Sequence, residues 1–177
     1  MNKLLFFLII ICFGFTSETI SIKKSIVQFT GSHPFHDWTG ISTQLETNFS
    51  CNQNNRTCDF NFSIPWMSFN SDNDNRDNNM LYYVNAFDYP KIYMKFDQIN
   101  LNELNEDEKL LTGIITISGI NNKISIPLEY HLEENQFKVS SSFHISLKNF
   151  KIKRPTLLLI PIEDLIFINV NITGYII

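Results

Sequence analysis

Side chains with chemical potential cluster in a few places along this chain of 177 residues. His33, His36 and Asp37 put two imidazoles three residues apart beside a carboxylate, types that bind metals or move protons. A single loop with no second group of donors falls short of the three or four ligands a zinc site needs, so no metal is expected. The alternative is structural, with Asp37 and Trp38 fixing a loop at the rim of the fold. His131 and His144 fall on outward-facing positions of alternating segments. The sequence has no Gly-x-Ser-x-Gly elbow, Ser-His-Asp arrangement, phosphate-binding glycine loop or Cys-x-x-Cys pair, so no catalytic residue and no cofactor is assigned. Arg76-Asp77 reads either as an ion pair anchoring a helix or as two solvated groups, with Asp77 complementing the helix dipole.

Cys51 and Cys58 flank the polar run Asn52–Thr57. If Cys12 is removed with the N-terminus, these two remain, and in an oxidising compartment they pair into a structural disulfide. The N-terminus supports that: Met1-Asn2-Lys3 is cationic, Leu4 to Phe15 is apolar, and Thr16-Ser17 offers a cleavage site. The apolar run is too short to span a bilayer and suits a secretory signal, giving a signal at 1–17 and a mature domain at 18–177. An uncleaved anchor or lipidation at Cys12 is the alternative. The expected compartment is therefore periplasmic or extracellular. A net charge of -4 with scattered Lys and Arg gives no basic face, which argues against nucleic acid as a partner. Sequons begin at Asn48, Asn55, Asn61 and Asn171, and matter only if a eukaryote made the protein.

The elements that must position these residues are mostly strands. Apolar and polar residues alternate from Ile41 to Phe49, Phe60 to Trp66, Ile92 to Phe96, Ile124 to Leu132, Phe137 to Ile145 and Ile166 to Ile172. Ile20 to Phe29 and Leu110 to Ser118 complete about eight strands. Ser32 to Gly40 reads as a connection, and Arg154-Pro155 to Ile160-Pro161 as an irregular link. One segment, Ser68 to Phe96, turns helical: Asp74 can cap, Asn85 can terminate, and Met80, Tyr83, Val84 and Phe87 share a face at helical spacing. It is a lid over the fold or a decorated crossover. An antiparallel sheet with one apolar face closes into a barrel or pairs into a sandwich, and periodicity does not choose between them.

Three segments carry a family resemblance. Gly31-Ser32-His33-Pro34-Phe35-His36-Asp37-Trp38 is similar to the opening of one branch of the YceI-like proteins. Ser68 to Phe96 resembles their central signature through Arg76, Asp77, Met80, Tyr89, Pro90, Ile92 and Phe96. Leu111 to Ile120, with Gly113 and Gly119, resembles their glycine-bounded hairpin. The resemblance implies a secreted or periplasmic lipocalin-like barrel of about eight antiparallel strands, with one short helix in the crossover, that binds polyisoprenoid lipids.

Alternation points Phe60, Phe62, Met94, Phe96, Leu128, Tyr130, Phe143 and Ile168 inward from different strands, and the helix adds Met80, Val84 and Phe87. Arg76, Asp77 and the His33–Trp38 segment are expected at the rim. The inward side chains either fill the barrel or line an apolar site. The first outcome gives a structural or surface-interaction domain; the second gives a carrier of a polyisoprenoid or fatty-acid derivative.

Overall fold

The alternation forms strands that bury one face. In the strand Gln136–Ser146, Phe137, Ser141, Phe143 and Ile145 are buried while Lys138, Ser142 and His144 are exposed. A computed structural model describes residues 20–52, 57–100 and 109–176. The strands are β1 (Ile20–His33), β2 (His36–Ser42), β3 (Glu46–Asn52), β4 (Thr57–Pro65), β5 (Lys91–Asn100), β6 (Lys109–Ile117), β7 (Ile120–Glu133) and β8 (Gln136–Ser146). Two short strands, β9 (Thr156–Leu157) and β10 (Ile160–Pro161), precede β11 (Leu165–Ile176), and the helix α1 spans Asp74–Tyr83. The signal expected at 1–17, with Cys12, and the sequon at Asn55 lie outside the described residues.

Nine strands make one antiparallel sheet in the order β2-β1-β11-β8-β7-β6-β5-β4-β3. Its two edge strands are consecutive in sequence. Only Thr43, Gln44 and Leu45 separate β2 from β3, and those four peptide steps reach at most about 14 Å. The sheet must therefore curl until its edges nearly meet, which produces the lipocalin-like barrel rather than a sandwich. The second strand expected at Ile41 to Phe49 is in fact this seam: it breaks at residues 43–45, pairs with β1 above the break and with β4 below it. Alternation continues across the break, so the sequence hides it.

Two connections also differ from the sequence reading. Ser32 to Gly40 is a hairpin with His33 opposite His36, not a loop. The link before β11 contains the β9–β10 hairpin, with Leu157 opposite Ile160.

Strand directions define the two ends of the barrel. The β1–β2 turn, α1, the β6–β7 turn and the β9–β10 hairpin share one end. The Cys51–Cys58 disulfide, a cross-strand pair of β3 and β4, lies toward the other.

Candidate functional site

A cavity of about 500 Å³ occupies the end of the barrel that carries α1. Every long strand of the curled sheet except β3 contributes to its wall. Phe29 comes from β1, Phe62 from β4, Met94 and Phe96 from β5, Leu128 from β7, Phe143 from β8 and Ile168 from β11. These positions follow from period-two alternation once the sheet closes.

α1 is placed over the cavity by a chain of local bonds. Asn73, not Asp74, is the N-cap, its side chain accepting from the Arg76 amide at 3.0 Å. Asp77 does not pair with Arg76; its carboxylate accepts from the Ser71 hydroxyl at 2.6 Å and the Ser71 amide at 3.2 Å. The Arg76 guanidinium donates to the Ser71 carbonyl at 3.2 Å. Both residues therefore tie the helix start to the chain entering it. At the other end the Ser118 hydroxyl donates to the Val84 carbonyl at 2.7 Å, and the Trp66 amide donates to the Pro90 carbonyl at 3.0 Å. Met80, Tyr83 and Val84 border the cavity, while Asn75, Arg76, Asp77 and Asn79 give its rim a polar side.

Phe87 corrects the helical-face expectation. It is 96% exposed and stands outside the cavity. The helix ends at Tyr83, and Asn85 takes a left-handed backbone (φ 52°), so the 3.6-residue period no longer applies at Phe87. Phe60 and Tyr130 also stay outside the cavity wall. Each keeps the inward parity of its strand but lies a step nearer the opposite end than Phe62 and Leu128. Phe60 packs against the core, its ring stacked on Phe62 with centroids 6.4 Å apart. Half-burial pushes the Tyr130 phenol above its ordinary pKa.

The histidine segment is a structural corner. His33 is buried, its Nδ1 accepting from the Phe35 amide at 3.4 Å and its Nε2 donating to the Ile160 carbonyl at 3.2 Å. That bond ties the β1–β2 turn to the β9–β10 hairpin. His36 and Trp38 border the cavity beside it, while Asp37 is exposed and does not. Among the described residues no three His, Cys, Asp or Glu side chains come together as a metal site.

Two groups of residues escaped the sequence reading. Trp66 borders the cavity, and its indole Nε1 is the one buried side-chain donor without a partner among the described residues. Aromatic rings also fold onto glycines. A Cβ at Gly113 would stand 2.6 Å from the Phe96 ring, one at Gly31 2.5 Å from the Trp38 ring, and one at Gly119 2.5 Å from the Tyr89 ring. Each of these six residues belongs to a segment singled out in the sequence, so those segments meet as ring-on-glycine contacts.

The curled sheet and helix-capped apolar cavity define a lipocalin-like barrel. The YceI-like domain model matches residues 19–174, and the chain belongs to that family. Its structure is similar to that of BcnA from Burkholderia cenocepacia, at TM-score 0.70 and 14% identity over 84% of this chain and 95% of that one. It is also similar to a polyisoprenoid binding domain from Saccharophagus degradans implicated in plant cell wall breakdown, at TM-score 0.69 and 13% identity over 91% and 100% of the two chains. The YceI protein of Campylobacter jejuni aligns at TM-score 0.62 and 18% identity over 77% and 83%. At these identities the likeness establishes the fold. No curated relative matches the chain in sequence.

Proposed function

We propose that the protein binds a long-chain apolar lipid, a polyisoprenoid or fatty-acid derivative, inside the barrel. The observation that carries this reading is the cavity itself, about 500 Å³ with a wall made almost wholly of aliphatic and aromatic side chains. That volume sits within the roughly 300–1,000 Å³ typical of small-molecule sites. At roughly 30 Å³ per methylene, about a water's share of the liquid, it accommodates on the order of 15 carbons. Their burial contributes on the order of 12 kcal/mol, against association costs of about 4–15 kcal/mol. The polar rim at Asn75, Arg76 and Asn79 suits a ligand with a polar head, and the Trp66 Nε1–H offers a donor to an oxygen on the ligand. Binding of this kind needs no catalytic group.

The cavity counts against a solid-core interaction domain. The disulfide supports an oxidising compartment, and with it removal of residues 1–17 as a signal and release of 18–177 to the periplasm or exterior. Among the described residues no helix is long and apolar enough to cross a membrane. Native mass spectrometry and solvent extraction of the purified protein test the reading. A lipid that co-purifies or titrates into the cavity is the expected result; a protein that takes up none overturns it. Intact mass of the exported protein checks the cleavage site.

A further inference from the structure

The β9–β10 hairpin presents two leucines to solvent at its tip. Leu158 is 74% exposed and Leu159 95%. Both have left-handed backbones, φ 50° and 67°, in a two-residue turn that asparagine and glycine adopt at less cost. Neither local turn chemistry nor core packing therefore accounts for leucine at these positions.

Their surroundings point to a partner. Lys148, Lys151, Lys153 and Arg154, all exposed, stand in the eight residues just before the hairpin of a chain whose net charge is -4. Glu163 and Asp164 follow it, and Asp164 is engaged by the Ser146 hydroxyl and the Lys148 amide. Phe35, 60% exposed, lies beside the hairpin through the His33–Ile160 bond. Leu157 at the base of the tip borders the cavity, so apolar surface runs from the tip into the interior. Among the described residues, the other large apolar side chains at least 74% exposed, Met67, Tyr82 and Phe87, occupy the same end of the barrel. The α1 side of that end carries Asp72, Asp74 and Asp88, so an anionic surface attracts the hairpin side first.

We propose that the β9–β10 hairpin is a membrane-docking element: Leu158 and Leu159 enter the acyl boundary of an anionic bilayer while Lys148, Lys151, Lys153 and Arg154 meet its headgroups. An apolar wedge with adjacent cations is the two-part signal that peripheral membrane binding requires. Docking rests on these surface residues alone. Transfer of a lipid between bilayer and cavity rests in addition on the lipid-binding reading.

Flotation of the purified protein with phosphatidylcholine vesicles, with and without phosphatidylglycerol, tests docking. The protein should float with the anionic vesicles, less with neutral ones, and less at high salt. The double variant Leu158→Asn, Leu159→Gly should lose at least about tenfold in vesicle affinity. Its melting temperature should be equal or higher, because the new residues suit the turn. Lys151→Asn with Lys153→Gln should weaken binding several-fold at low salt and leave the high-salt remainder unchanged. No flotation of the wild type, or unchanged flotation of the leucine variant, overturns the proposal. So does self-association that depends on the two leucines without vesicle binding, which would make the hairpin an interface between copies. Protein that floats but extracts no lipid would sink the cavity reading and leave docking standing; protein that extracts lipid but never floats would do the reverse.

Discussion

Asp77 shows how one residue acquires its role from its neighbours. The Arg76-Asp77 pair left open an ion pair or two solvated groups, and the structure uses neither: both residues grip Ser71. Asp77→Asn replaces one acceptor with an amide donor facing Ser71, and should cost about 1–3 kcal/mol. Denaturant unfolding reads that loss, and faster ligand release would show that the lid loosens. Asp164 sets the acid limb of stability at the same scale. The Ser146 hydroxyl, aided by the Lys148 amide, holds its carboxyl below the ordinary value. That contribution is present in full above the ordinary carboxylate range and is lost as pH falls through the lowered pKa. Because the group is only partly shielded from solvent the effect is small. Asp164→Asn should lower the melting temperature slightly at neutral pH and flatten its fall in acid.

Among the elements, β3 is one of the two edges of the nine-stranded sheet. It is the sheet edge that follows the seam, paired with β4 alone, and the Cys51–Cys58 bond crosses that pair. Replacing both cysteines by serine should cost about 2–3 kcal/mol for so short a loop. Hydrogen exchange should show lost protection concentrated in Glu46–Asn52, while cavity binding survives, because β3 contributes nothing to the wall. A uniform loss across the barrel would mean that the bond supports the whole closure. The helix was legible as an element, because capping and i, i+3, i+4 spacing are local. Its end was legible too, in Asn85; what the helical period hid is that Phe87, beyond that stop, turns outward.

At the scale of the molecule, cavity depth sets ligand length. Room for on the order of 15 carbons predicts that affinity rises about fourfold per methylene along a homologous series, the equivalent of about 0.8 kcal/mol, and then levels off. Titration with fatty acids of increasing length measures this; a series with no plateau would place the chain outside the cavity. Phe60 and Tyr130, inward in parity but beyond the cavity wall toward the disulfide end, are the side chains a longer ligand would meet next.

The sequence by itself determined most of the long strands, the face they bury, the disulfide pair and the family, because alternation, turn residues and motif spacing are properties of neighbours along the chain. Phe62, Met94, Phe96, Leu128, Phe143 and Ile168 reach the cavity wall for that reason. The sequence missed the β1–β2 and β9–β10 hairpins and the break between β2 and β3. Only the tertiary structure decided that β2 and β3 are opposite edges of one sheet, that Ser71 receives Asp77, and that Trp38, Tyr89 and Phe96 lie on glycines. The histidines show the same division. His33 and His36 were visible as chemistry, yet His33 is spent on the Ile160 carbonyl, 127 residues away in sequence. Periodicity reports which way a side chain points from its own strand; closing the sheet decides what it meets there.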